Sequence, residues 1–370
     1  MSAKKRITRR SFNAAALATF GALRTRPATA QAREDRVAEH LGEMLMLGFS
    51  GWTTWSRTAA RLADHVRAGR VGGIVLVKAN VGTESELSAL LETFRNARSQ
   101  PLIAIDHEGG VVQRLTDRHH CTPLPSARRV AQTLSPPEAQ ALYAKAGAEI
   151  ARLGFNLNLG PVVDLYDPAN PPVGQHNRAF DADPAKVSTY GQAFIDGFAQ
   201  ARVHCALKHF PGHGHSREDS HGGLPDITTT WSETELEPYA TLIANGRARI
   251  VMGGHLRLAT IEKEAVPTTL SAAVTTGLLR DKLGFQGVIL TDDLDMTPVK
   301  VVGDRRAVLI KAIAAGNDIL MIRNAFFAEF DLPQAAVRWV CETIDRGQLR
   351  EERLAESAER IRSLKRSFAA

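Results

Sequence analysis

The chain has 370 residues, with 46 Lys and Arg against 40 Asp and Glu, a formal net charge of +6 and a pI near 9.4. Seven of the basic residues and no acidic one fall within positions 1–32; the rest carries 39 basic against 40 acidic residues, a net of −1, which excludes a bulk nucleic-acid footprint. At 44% hydrophobic and 23% charged the composition is that of a soluble globular protein, and three cysteines without a C-x-x-C pair exclude a disulfide framework.

In chain order, the first segment reads as an address. Lys4-Lys5-Arg6 precede Thr8-Arg9-Arg10-Ser11-Phe12-Asn13, a weakly apolar stretch over 14–23, and the small residues Ala28-Thr29-Ala30-Gln31-Ala32. This resembles a twin-arginine export signal with an A-x-A-like cleavage site. Arg24 and Arg26 fit that route, because charge after the apolar stretch hinders the general secretory one. The expectation is a signal over 1–32 and a soluble, periplasmic or secreted protein over 33–370, without stable membrane insertion. No later stretch has the roughly 18–20 apolar residues of a membrane span.

From residue 41 onward, short apolar runs alternate with helical patterns. Strands are expected at 44–49, 73–77, 102–105, 157–163, 205–207, 250–252, 288–290 and 319–322, each a continuous run suited to burial on both faces. Helices are expected at 85–98, 137–152, 184–201, 271–283 and 305–315, with 334–368 as closing helices. Strict alternation of eight strands predicts an α/β fold, a single-domain (β/α)8 TIM barrel over 33–370. An open doubly wound sheet is disfavoured, because no glycine-rich dinucleotide fingerprint follows the first strand.

Polar clusters fall where such a barrel places its chemistry, at C-terminal strand ends. Asp106-His107-Glu108-Gly109-Gly110 follows the third strand and Asp164 the fourth; Lys208-His209, Gly253-Gly254-His255 and Asp292-Asp293 follow the fifth to seventh. The densest stretch is Lys208-His209-Phe210-Pro211-Gly212-His213-Gly214, running on to Asp219-Ser220-His221; its Pro and Gly make it a loop. With Asp106-x-Glu108-Gly109-Gly110, Asn177-Arg178-Ala179-Phe180 and Thr291-Asp292-Asp293-Leu294 it is similar to glycoside hydrolase family 3. Within that family it most resembles the single-domain β-N-acetylhexosaminidase branch, over about residues 40–340.

That resemblance implies a retaining glycosidase acting on N-acetylglucosaminides, such as peptidoglycan or chitin fragments, with no cofactor and no metal. It implies Asp292 as nucleophile and an Asp219–His221 dyad as acid/base in place of a second carboxylate. A histidine with an ordinary pKa near 6.5 both gives and takes a proton near neutrality, and an aspartate can hold its tautomer. Asp106, Arg114, Arg178, Lys208 and His209 are implied as substrate-binding residues, and hydroxyl-rich ligands suit carboxylates and cationic donors in a cleft. Asp293 is expected to support Asp292, and Glu108 to be a structural partner. The family often has Arg where this chain has Val111.

Other readings compete. Five His and Asp residues on one loop invite a metal hydrolase, although barrel metal sites draw ligands from several strand ends and H-E-x-x-H is absent. A non-catalytic sugar-binding descendant is opposed by the intact Asp292 and Asp219/His221. β-Glucosidase or β-xylosidase activity belongs to members with a further sandwich domain, which this length does not accommodate. A histidine repels an anionic acceptor less than a carboxylate does, so phosphate is a second acceptor to test. A monomer is the default expectation.

Overall fold

The computed structural model describes residues 28–95, 97, 100–220, 222–323 and 331–367. Ten short strands lie among them: β1 Leu45–Leu47, β2 Gly73–Leu76, β3 Leu102–Ile105, β4 His107–Gly109, β5 Val112–Gln113, β6 Leu157–Asn158, β7 His204–Phe210, β8 Ile250–Gly253, β9 Val288–Leu290 and β10 Leu320–Ile322. Eight form one parallel sheet in the order β10-β1-β2-β3-β6-β7-β8-β9, and a parallel bridge between Leu290 and Ile319 joins its two ends. The expected barrel is therefore present. The pair β4–β5 is a small antiparallel hairpin standing on the C-terminal end of β3.

Each barrel strand is buried along its length, which is why its sequence is a continuous apolar run with no alternation. One core joins strand residues such as Ile74, Ile103, Leu207, Val251, Ile289 and Met321 to helix residues such as Leu90, Phe194 and Leu309. Local signals set the helices around it. The helix Pro136–Leu153 starts with Pro136 in its first turn and a Ser135/Glu138 capping box, and it stops at Gly154 with φ 115°.

The fourth barrel strand is shorter than expected, Leu157–Asn158 in place of 157–163, because Pro161 has no N–H to give a ladder; pairing resumes as a single bridge from Val162 to Lys208. The stretch 271–283 is helical as expected, but its core Ala273–Lys282 is wound as a π-helix. The closing helices are Leu332–Asp345 and Glu351–Arg366, and both pack on the first helix, Ala28–Met44. Ion pairs Arg36–Glu351 (2.6 Å) and Lys365–Glu43 (2.7 Å) fasten that contact.

The expected boundary at residue 32 falls inside the helix Ala28–Met44, whose buried face begins at Val37. The twin-arginine stretch itself, Arg9 and Arg10, lies outside the described residues. Among the described residues no helix is long and apolar enough to cross a membrane.

Candidate active site

The C-terminal ends of β3, β6, β7, β8 and β9 carry the polar residues. Asp106 follows β3; its Oδ1 accepts from Lys208 Nζ at 3.0 Å and its Oδ2 from Arg114 Nη2 at 3.2 Å. Burial alone would raise its pKa, but Lys208 and Arg114 outweigh burial and hold it below the ordinary value. Glu108, on β4, takes a two-pronged contact from Arg178 Nε and Nη2, both 2.8 Å, and a third from Lys208 Nζ at 2.6 Å. Burial is again outweighed by the two cations, and the Glu108 carboxyl stays ionised well below its usual range.

The nest engages one of the residues expected to bind substrate. Arg178 was expected among the substrate donors, but its Nε and Nη2 are held by Glu108 and its Nη1 by the Pro172 carbonyl at 3.0 Å. Its guanidinium is largely committed to the protein. Lys208, shared between Asp106 and Glu108, is buried with its pKa held up by those carboxylates against desolvation.

Asp164, after β6, is fully buried and organises the start of the dense motif. Its Oδ1 accepts from the backbone N–H of His209 (3.0 Å) and of His213 (2.9 Å), and its Oδ2 from His209 Nδ1 (2.8 Å). Placing the His209 proton on Nδ1 leaves Nε2 to meet a ligand. Sequence reasoning noted Asp164 at a strand end without a role; its partner lies 45 residues away.

Asp292 follows β9 and is half-buried. Burial raises its pKa, but His255, His209, the Asp293 N–H at 2.7 Å and Lys208 together bring it below the ordinary value, so it is a carboxylate at neutral pH. Asp293 is the support that the sequence implied. Its Oδ1 accepts from the N–H groups of Asp295 (3.0 Å) and Arg323 (2.9 Å), and the Arg323 guanidinium pairs with it at 3.1 Å. Burial raises the Asp293 pKa to about 6. His255, buried after β8, donates from Nε2 to the Asp293 carbonyl at 3.0 Å, while its Nδ1 meets Thr269 Oγ1 at 3.0 Å. Burial lowers the His255 pKa, yet of the groups around Asp292 this histidine does most to favour the carboxylate charge; its role was missed in the sequence.

The loop after β7 is tied down at its root. Glu235, buried in the turn Glu233–Leu236, accepts from His215 Nδ1 (2.5 Å), the His215 N–H (3.1 Å) and the Leu165 N–H (3.4 Å). The glycines of Pro211-Gly212-His213-Gly214 are required by this contact. Gly212 has φ 117°, and a Cβ on Gly212 or Gly214 would collide with Glu235 or with the Leu165 carbonyl. A second tie runs from Arg217 Nη1 to Asp167 Oδ2 at 2.5 Å. Asp219 is exposed further along, its carbonyl accepting from the Gly222 N–H at 3.0 Å. His221 lies outside the described residues. The loop histidines diverge: His209 turns to Asp164, His215 to Glu235, and His213 is buried with neither ring nitrogen hydrogen-bonded. Among the described residues no three His, Cys, Asp or Glu side chains are grouped to hold a metal ion.

A closed parallel barrel whose C-terminal strand ends gather carboxylates, cations and histidines has the arrangement of a barrel enzyme. The model of the glycosyl hydrolase family 3 N-terminal domain matches residues 36–364, and the chain belongs to that family of glycoside hydrolases. A β-hexosaminidase of Tolumonas auensis is 37% identical over 269 residues, 70% of this chain and 78% of that protein. A Paenibacillus family 3 β-N-acetylglucosaminidase superposes with a TM-score of 0.80 at 30% identity, over 90% of this chain; the chain spans only 63% of that protein. The β-N-acetylhexosaminidase of Beutenbergia cavernae superposes at 0.77 with 28% identity, covering 89% of this chain and 98% of that one.

Proposed function

We propose that the chain is a retaining β-N-acetylhexosaminidase that releases terminal N-acetylglucosamine through a covalent glycosyl-Asp292 intermediate. The observation that carries the reading is Asp292 itself: a carboxylate on a rigid strand end, kept ionised by His255, His209 and a backbone N–H, beside the Asp106–Lys208 pair. The names of the similar proteins, β-hexosaminidase and β-N-acetylglucosaminidase, support the substrate class.

In the first step His221, oriented by Asp219, gives its proton to the glycosidic oxygen while an Asp292 oxygen bonds to the anomeric carbon. The leaving group departs as an alcohol. In the second step His221 takes a proton from water, the water oxygen bonds to the anomeric carbon from the opposite face, and Asp292 is freed as a carboxylate. Two inversions give retention. Asp106, Arg114, Lys208 and His209 hold the sugar hydroxyls and the acetamido group, and Arg178 acts on them through Glu108. Residues 1–32 direct export by the twin-arginine route, which places the mature protein in the periplasm or outside the cell. Peptidoglycan or chitin fragments are its substrates there.

The test is hydrolysis of a chromogenic N-acetyl-β-glucosaminide, with NMR of the first-formed sugar. The expected product is the β-anomer. An α-anomer, or turnover that survives Asp292→Ala, overturns the assignment.

A further inference from the structure

The large apolar side chains left exposed are not scattered. Among the described residues they are Trp52, Trp55, Val111 and Val301, at 52%, 93%, 62% and 59% exposure. All four stand on segments leaving the C-terminal strand ends: Trp52 and Trp55 between β1 and the helix Arg57–Arg67, Val111 in the hairpin β4–β5, and Val301 in the helical turn Thr297–Val302 after β9. Single exposed apolar residues need no explanation. A set confined to the mouth of a polar cleft does.

Hydrogen bonds and close contacts link the segments that carry the first three. Asn80 Nδ2, beyond β2, donates to the Phe49 carbonyl at 2.9 Å and the Gly51 carbonyl at 2.8 Å, holding the β1 loop in place. Trp52 lies against Gly82, where a Cβ would stand 2.8 Å from the indole Cδ1. The Gly82 carbonyl in turn meets His119 Nε2 at 2.9 Å, just past the hairpin that carries Val111. At its other end the β1 loop reaches the segment after β10: Gly48 has no room for a Cβ against the Arg323 carbonyl, and Arg323 pairs with Asp293 at 3.1 Å. In the ring of eight strands β1 stands opposite β7, so the Trp52–Trp55 segment and the loop that carries Asp219 flank the C-terminal end of the barrel from opposite sides.

We propose that Trp52, Trp55 and Val111 form an apolar shelf that binds the leaving-group sugars of an uncharged, N-acetylated β-glycan. The shelf rests on the reading of the cleft as a site for terminal N-acetylglucosamine and extends it outward. Indole faces present flat apolar area to the C–H faces of sugar rings while ring hydroxyls keep their water, and Trp loses little entropy when it does so. Continuity with the sugar cleft favours a glycan over a lipid surface, as does the absence of a basic excess in residues 33–370. Val111 offers no charge to an anionic leaving group, so the shelf prefers neutral amino sugars to acidic ones.

The experiment compares chitobiose, whose leaving group is one sugar, with chitotetraose, whose leaving group is three. Trp52→Ala/Trp55→Ala is expected to lower kcat/KM for chitotetraose at least tenfold relative to chitobiose, mostly through KM. Trp55→Ala alone, at a side chain with almost no packing to lose, is expected to lower the ratio at least threefold. Calorimetric binding of chitotetraose to Asp292→Asn is expected to weaken at least tenfold on adding the double substitution. An unchanged ratio, or equal binding with and without the tryptophans, overturns the shelf. Trp-dependent binding by a protein that hydrolyses no N-acetylglucosaminide upholds the shelf and removes the hydrolase reading. Co-sedimentation with phosphatidylethanolamine/phosphatidylglycerol vesicles that needs both tryptophans, with oligosaccharide binding that does not, overturns the proposal in favour of a membrane contact.

Discussion

Two carboxylate clusters sit at opposite ends of the barrel, and only one has capacity to spare. At the N-terminal end Asp318, fully buried before β10, accepts from Arg280, Arg353, Arg360, Ser357 Oγ and the Ile289 N–H. Its lone pairs are spent on the fold. At the C-terminal end Asp106 is partly exposed with one cation on each oxygen, and Asp292 has a single backbone donor at 2.7 Å. Equal chemistry thus separates into a closed network that fastens helices and an open one that can accept a ligand. Barrel enzymes divide stability and chemistry between their two ends in this way.

The largest expected effect tests the open end. Asp292→Ala should lower kcat/KM by roughly 10⁴-fold, the scale expected from losing the proposed nucleophile together with the partners it works with. Its melting temperature should fall by no more than about 4 °C: the contacts that hold the Asp292 pKa below the ordinary value are lost, but no arginine is left without a partner as around Asp318. A thermal melt and an assay on one preparation read both. A large stability loss would place Asp292 with Asp318 and erase the division.

Asp318→Ala should do the reverse. Three arginines would be left without their carboxylate, which costs about 3–5 kcal/mol of stability for a broken buried network. The kcat per folded molecule should be unchanged, since β10 and its neighbours keep their register. Urea unfolding monitored beside active-site titration checks this.

An intermediate effect comes from histidines that no hydrogen bond compensates. Burial holds His107 and His213 at pKa values of about 4, and the ring nitrogens of both lack partners. With folded values below the ordinary 6.5, the unfolded chain takes up protons first. Their contribution to stability is therefore whole above about pH 6.5 and is lost as pH falls towards 4, up to about 3 kcal/mol for each. Asp293 opposes them: its folded value of about 6 lies above the ordinary one, so its ionisation removes stability as pH rises from about 4 to 6. The protein should lose stability between pH 6.5 and 4.5, less so in His213→Gln and more so in Asp293→Asn. Melting temperature against pH for the three proteins decides it; parallel curves would remove these groups from the account.

What was legible in the sequence follows from how local each signal is. Strands Leu102–Ile105 and Val288–Leu290 and the helix Arg305–Ala315 were expected residue for residue, because apolar runs and flanking Asp and Gly signals lie within the segment. β7 extends to His204–Phe210, longer than the expected 205–207, since Lys208 and His209 are polar residues on a buried strand and hide its length. Asp106, Lys208, His209 and Asp292 were singled out because motifs carry them, and the structure places all four at the C-terminal strand ends. Glu235 and the roles of Asp164 and His255 were not, because each depends on a partner 20–45 residues away. One signal for Glu235 was present: two glycines in Pro211-Gly212-His213-Gly214 state that something packs closely there.

The smallest expected effect separates the two ties on the loop after β7. Arg217 and Asp167 meet at 2.5 Å, but half of the arginine side chain is exposed, and such pairs contribute about 0.2–1 kcal/mol that salt screens. Glu235 holds His215 while buried, beyond the reach of screening. Arg217→Ala should cost less than about 1 kcal/mol of stability and change kcat/KM by less than about threefold, with wild type in 1 M salt behaving like the variant. Glu235→Gln should lower kcat/KM for poor leaving groups further if, as proposed, His221 on this loop supplies the proton they most need, and its loss should be the same at every salt concentration. Rates on good and poor leaving groups across a salt series distinguish the two. Equal, salt-sensitive losses in both variants would mean that the loop is held from its surface, and that the proposed acid/base side of the site has no buried foundation comparable to that of Asp292.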